Sequence, residues 1–216
     1  MSLTQAKANT NTLLPMGNNG LRDLECTRDG ALFTADMFLK LGLQGRIMVA
    51  SFGSVTTPLT FLVTAANRPD WVIRVPSGTA IIPISVDITL EAAAGTATEI
   101  DIRICSNDIG IGTSTAATVL TSTRTDNPFT PATAGRHLYT ADATAETTPV
   151  SVHRKTFPLA QASGLMDYSD FWRPEFGEIV VVGAGSFLGY IAATTTQATG
   201  FVVVKYAEVP ASWVTG

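Results

Sequence analysis

The residues that could do chemistry are few. His137 and His153 are the only imidazoles. They lie in different segments, without the His-x-His or His-x-x-x-His spacing that converges on a metal. In Val150-Ser151-Val152-His153-Arg154-Lys155, His153 alternates with Val152 and is expected on the solvent side of a strand. Asp167, Asp170, Glu175 and Glu178 stand among Tyr168, Phe171, Trp172 and Phe176, the mixture of carboxylates and rings that a carbohydrate-processing cleft uses. Acidic loops are commonplace, however, and large aromatics, here also Trp71, Tyr139 and Trp213, more often fill cores or interfaces. Gly183, Gly185 and Gly189 after Val180-Val181-Val182 imitate a dinucleotide-binding turn, with one residue too many before the third glycine. The Thr-rich Tyr190 to Thr196 that follows offers no helix, so a glycine-bearing hairpin is the better reading. Ile109 to Thr115 lacks the Lys of a phosphate loop, and no Gly-x-Ser-x-Gly elbow occurs. Cys26 and Cys105 have neither the number nor the spacing of a disulfide framework, and are expected as buried free thiols. No catalytic, cofactor-binding or metal-binding residue emerges, and the chain is expected to be no enzyme.

The elements that would carry these residues are strands. Apolar segments of strand length recur between turn residues at Ala31 to Leu39, Arg46 to Phe52, Leu59 to Ala65, Trp71 to Val75, Ala80 to Glu91 and Glu99 to Cys105. A second group comprises Val150 to Phe157, Glu178 to Val182, Phe187 to Ala193 and Phe201 to Val209. Alternation is cleanest at Ile82, Ile84, Val86, Ile88 and Leu90, expected to share one buried face. Glu99 to Cys105 repeats the pattern after a hairpin-like loop, which predicts that these two strands pair antiparallel. The best helical window is Ala31 to Leu41. Between Ser106 and Pro149 a short strand is expected near Ala117 to Ser122, the rest being surface loop. Many strands without helices, joined by long connections, predict an all-β antiparallel two-sheet sandwich of jelly-roll type. One such domain over residues 21–216 follows a polar, Asn-rich arm over residues 1–20.

Composition bears on partners. Lys plus Arg number 14 against 18 Asp plus Glu, a net charge of −4, with no basic excess to neutralise phosphates, so no nucleic-acid partner is expected. The amino terminus lacks the pattern of a secretory signal. The longest uncharged run, Ile179 to Val204, is interrupted by glycines and threonines, so no membrane partner is expected either. Only 15% of residues are charged, against about a quarter in an average soluble protein, while 45% are hydrophobic. A surface with so few charges suits contact with copies of itself.

The strand, turn and strand of Val75-Pro76-Ser77-Gly78-Thr79-Ala80-Ile81-Ile82-Pro83-Ile84-Ser85-Val86 resemble those of virion proteins of tailed bacteriophages. The run Gly200 to Pro210 looks like the closing strand of the same kind of domain, and the resemblance covers Arg46 to Val209. It implies a jelly-roll head decoration or cement protein. Such a protein would be made in the bacterial host cytoplasm and located in the virion, would be a homo-oligomer, in all a trimer, and would bind phage capsid protein without any cofactor. One domain of modest length departs from a usual major capsid protein. Phe171, Trp172, Trp213 and Tyr168 are the expected interface residues. The arm and the long Ser106 to Pro149 segment are expected to reach neighbouring subunits. A carbohydrate- or receptor-binding sandwich is the competing class, and a metal-dependent jelly-roll enzyme would need a His-rich strand that this sequence lacks.

Overall fold

The computed structural model describes residues 37–61, 68–92, 97–109, 114–126, 128–137, 144–157, 169–175, 179–193 and 197–215. The arm, Cys26, Tyr139, Asp167, Tyr168 and Glu178 lie outside the described residues. In chain order the elements are α1 (Met37–Leu43), β1 (Ile47–Phe52), β2 (Leu59–Thr60), β3 (Trp71–Val75), β4 (Thr79–Ala92) and β5 (Thr98–Cys105). Then come β6 (Thr115–Ala116), β7 (Val119–Ser122), β8 (Ala134–His137), β9 (Val150–Phe157) and β10 (Ser169–Trp172). The series closes with β11 (Val181–Val182), β12 (Gly185–Ala193), β13 (Thr199–Pro210) and a 3-10 turn at Ala211–Trp213. Of the window Ala31 to Leu41, residues 37–41 are helical and the helix runs on to Leu43, which corrects the strand expected over Ala31 to Leu39 at its described end; residues 31–36 lie outside the described residues.

Two antiparallel sheets pack face to face. The seven-stranded sheet has the order β10-β4-β13-β1-β7, with β11 and β2 attached to β4 and β13. The six-stranded sheet has the order β6-β8-β3-β12-β5-β9. Eight of these strands form the jelly roll: β1, β13, β4 and β10 adjoin in one sheet, and β3, β12, β5 and β9 in the other. The chain changes sheet at every step along this series except from β5 to β9, which pair directly. The hairpin expected between Ala80 to Glu91 and Glu99 to Cys105 is therefore corrected. β4 pairs with β13 and β10, β5 pairs with β12 and β9, and the connection between them is a corner from one sheet to the other. Two successive half-buried strands can bury their apolar faces against each other across a sandwich as well as side by side, and alternation alone does not separate the two cases.

The core lies between the sheets. Phe52, Trp71, Ile73, Ile88, Ile100, Ile102, Phe187, Val202, Val204 and Tyr206 are among its buried members. A file of rings crosses it: Phe52 to Trp71 at 6.0 Å between centroids, Trp71 to Phe187 at 5.2 Å, Phe187 to Trp172 at 6.0 Å and Trp172 to His153 at 6.1 Å. Offset and edge contacts of this kind add about 0.5–1.5 kcal/mol each beyond area burial.

β4 does not keep one face throughout. Its register with β13 shifts between Lys205 and Tyr206, where Lys205 stands opposite Ser85 and Tyr206 opposite Pro83. Such an extra residue switches the facing side chains. Val86, Ile88 and Leu90 join the core between the sheets, whereas Ile82 and Ile84 turn to a second cluster on the outside, with Leu41 of α1, Ala80, Ala207 and Val209. The long segment from Ser106 to Pro149 is more structured than expected. Besides β7, it supplies β6 and β8, which pair with each other and, through β8, with β3. Where described, these strands pack on the chain's own sandwich.

Candidate interaction surface

The two sheets present different outer faces. On the six-stranded sheet the outward positions divide: Val72, Cys105 and Leu188 are buried in a small apolar cluster with Ile109, while Arg74, Asp101, Arg103 and Arg154 are charged and paired. Arg74 bonds Asp108, and Arg103 bonds Asp101 at 2.7 Å and Glu146 at 3.4 Å. Arg154 reaches Asp101 at 3.3 Å, and the Tyr190 hydroxyl donates to Glu146. Burial works to raise the Asp101 pKa, but hydrogen bonds from Arg103, Ser151 and Arg154 outweigh it and hold the carboxyl below its ordinary value. A depression of about 490 Å³ on this side is lined by Glu99, Asp101, Arg103, Arg154, Lys155 and Thr156, groups of both signs that largely neutralise one another.

The outer face of the seven-stranded sheet is partly covered and partly open. At one end α1 and the terminal 3-10 turn lie over it, burying Leu41 against Ala80, Ile82, Ala207 and Val209, with Phe38, Ile47 and Trp213 around them. At the other end no described residue lies over three cross-strand rows, in which only Ser85 is buried. The central row runs Phe171, Asp87, Val203, Ser51, Val119 across five strands. One flanking row is Ser169, Thr89, Phe201, and the other Ser85, Lys205, Val49, Thr121. The inward neighbours Val202 and Val204 are fully buried, so Phe201, Val203 and Lys205 point outward by strand alternation. Phe171 is 65% exposed and Val119 43%. Apolar side chains in outward rows of a half-buried sheet are unusual.

Phe171 and Trp172 thus part company. Phe171 stands on the open face, while Trp172, next along β10, turns inward onto Phe187 and His153. Trp213 lies over its own domain, its ring 5.1 Å from the Arg46 guanidinium, which also caps Phe129 at 4.7 Å. Trp71, fully buried, presents no stacking platform to a sugar.

His153 is a correction. β9 carries one extra residue, Val152, between His153 opposite Ile102 and Ser151 opposite Arg103. The bulge breaks the alternation, so both Val152 and His153 turn toward the interior. There the His153 Nε2–H donates to Asp170 Oδ2 at 2.8 Å, and Lys155 Nζ donates to Asp170 Oδ1 at 3.0 Å. Asp170, itself buried, ties the β10 margin of one sheet to the β9 margin of the other. A carboxylate so engaged is a cross-sheet fastening. Glu175, exposed, lies beyond it. A second buried carboxylate, Glu208, accepts from the Ala132 N–H at 2.8 Å, the Thr133 N–H at 3.2 Å and the Thr133 hydroxyl at 2.8 Å, and Thr133 in turn meets the Tyr206 hydroxyl at 2.6 Å.

The hairpin expected for the glycine-rich segment is corrected: β11 pairs with β4 in one sheet and β12 with β3 and β5 in the other, so the segment is a corner that carries the chain from sheet to sheet. Close approach is what it needs: a Cβ at Gly183 would lie 2.0 Å from the Pro76 carbonyl oxygen, and one at Gly189 2.3 Å from the Trp71 indole nitrogen. Among the described residues no group of three or more His, Cys, Asp or Glu could hold a metal ion, and no helix is long and apolar enough to cross a membrane. Compared with known proteins, the chain matches no family, no curated protein and no solved structure.

Asp87, Lys205 and Glu208 were not singled out from sequence. The signal that was available is Phe201-Val202-Val203-Val204, a strand apolar on both faces in a fold where one face should be wet.

Proposed function

We propose that this chain is a structural virion protein of a tailed bacteriophage, a head decoration or cement protein that associates with copies of itself, as a trimer, and seats on the capsid surface. On this reading it acts by binding and carries out no chemical step. The observation that carries the reading is the apolar side chains left exposed on the seven-stranded sheet of a jelly-roll sandwich, whose other outer face has its apolar side chains buried under Ile109 and its charges paired internally. The resemblance of Val75 to Val86 and of Gly200 to Pro210 to phage virion proteins supports the same conclusion. The carbohydrate-binding alternative has less support, because Trp71 and Trp172 point into the core and Asp170 is spent on His153 and Lys155.

Light scattering on the purified chain tests self-association. The expected mass is three times the 22.8 kDa chain, about 68 kDa, for a closed ring. The assembled protein should then bind purified phage capsids. A chain that remains 22.8 kDa at every concentration and ignores capsids refutes the proposal. Binding on a glycan array by such a monomer would establish the alternative.

A further inference from the structure

We propose that the open face of the seven-stranded sheet is where one copy of this chain meets the next, with Asp87 of one copy paired to Lys205 of its neighbour. The inference rests on the self-association reading and names the surface and the contact that carry it.

The charges on the face select the occupant. Within the three rows, Asp87 and Lys205 are the only charged side chains, one of each sign, both exposed. Glu91 and Arg173 stand exposed beyond the rows, at the rim. Asp87 is opposite Val203, and Lys205 is two residues further along the same strand, so the two charges are diagonal neighbours. Diagonal positions across an antiparallel pair are about 7–8 Å apart. Among the described residues neither finds an ion-pair or side-chain hydrogen-bond partner. The contrast with the six-stranded sheet is direct: there Asp101, Asp108 and Glu146 all have arginine partners.

Covering Phe171, Val203, Phe201, Val49 and Val119 buries Asp87 and Lys205 with them, and a charge buried without a partner is costly. An occupant that brings a cation to Asp87 and an anion to Lys205 leaves neither charge unpaired. An acidic partner satisfies only the lysine, and a basic one only the aspartate. A second copy brings both at the spacing required. Around a three-fold axis each Asp87 meets the next Lys205, and around a two-fold axis the pairing is reciprocal. The apolar side chains and the hydroxyls of Ser51, Thr89 and Thr121 then form the centre of a contact depleted in charge, as interface cores are.

Charge exchange tests the pairing in the full chain. Asp87→Lys and Lys205→Asp each set like charges opposite one another, and each is expected to weaken assembly at least about a hundredfold, lowering the mass toward 22.8 kDa. The double variant restores opposite signs and is expected to recover the wild-type mass, which a variant that merely misfolds cannot do. Circular dichroism should be unchanged in all three, since both side chains are exposed. If the wild type assembles and both single variants assemble equally well, the face is not the contact, although self-association stands. If the singles dissociate and the double does not recover, the Asp87 to Lys205 pairing is wrong. A wild type that never assembles overturns both this inference and the reading beneath it.

Discussion

Glu208 offers a quantitative test of how the long Ser106 to Pro149 segment is held. Replacing it with Ala removes the acceptor of three donors at once. The three do not lose equally. Ala132 is exposed, so its N–H recovers a hydrogen bond from water, and the Thr133 hydroxyl can turn to Tyr206 Oη, already 2.6 Å away. The Thr133 N–H has no such recourse, because Thr133 is 4% exposed. One orphaned buried donor costs about 1–3 kcal/mol, and loss of the charge-assisted character of the other bonds brings the total to about 3 kcal/mol. In a domain of this size that corresponds to a fall of roughly 6–12 °C in Tm. Glu208→Gln can keep its oxygen toward Thr133 and turn its amide toward Ala132, so about 1–2 kcal/mol is expected. Urea unfolding followed by circular dichroism, at one fixed protein concentration, measures both. The reasoning fails if Glu208→Ala lies within about 0.5 kcal/mol of wild type, or if Gln costs as much as Ala. A Thr133→Val cycle adds a check, with a coupling of about 1 kcal/mol expected between the two sites.

Gly189→Ala places a methyl 2.3 Å from the indole of Trp71, which is held between Phe52 and Phe187 and cannot retreat; a loss of about 1–3 kcal/mol is expected, and an unchanged Tm would contradict the packing. Alkaline stability should fall. Burial, together with the Glu146 bond, pushes the Tyr190 pKa up, and burial outweighing the Thr133 bond does the same for Tyr206. Above about pH 10 the unfolded chain releases phenolic protons that the folded chain keeps, so the unfolding free energy should drop by up to about 2.7 kcal/mol per pH unit for the two groups. Urea midpoints that stay level from about pH 9 to pH 11 would refute this. At the other end, burial lowers the His137 pKa, so the folded chain keeps this imidazole neutral where the unfolded chain takes up a proton, and stability should decline as pH falls below about 6.5.

The architecture was largely legible because it rests on alternation. Val86 to Leu90 and Ile100 to Ile104 read correctly as strands with one buried face, and the long connections of a jelly roll follow from strands that change sheet. What escaped were the places where one residue is inserted. The extra residue near Ile84 turned Ile82 and Ile84 to the outer cluster, and the bulge at Val152 turned His153 inward. A bulge costs little and leaves no compositional mark at these positions, so period-two reasoning carries straight through it. The division between Phe171 and Trp172 follows from the same alternation, but it could be assigned only once β10 had a partner, because an isolated Ser169 to Trp172 does not say which face is the core. Partners distant in sequence, such as Glu208 with Thr133 and Asp170 with His153, are set by topology and leave no local pattern.

The position of β13 bears on the order in which the protein can come into being. Of the described strands it is the last in chain order, yet it lies at the middle of the seven-stranded sheet, between β1 and β4. While the ribosome is still making the preceding twelve strands, β1 and the fourteen-residue β4 share no neighbour, and each offers an open edge. The sheet therefore closes only after translation has passed Pro210, by insertion of a final strand into a waiting slot. Until then the nascent chain must be kept from its own kind by dilution or by chaperones, since the same edges would accept a strand from a neighbouring polysome product.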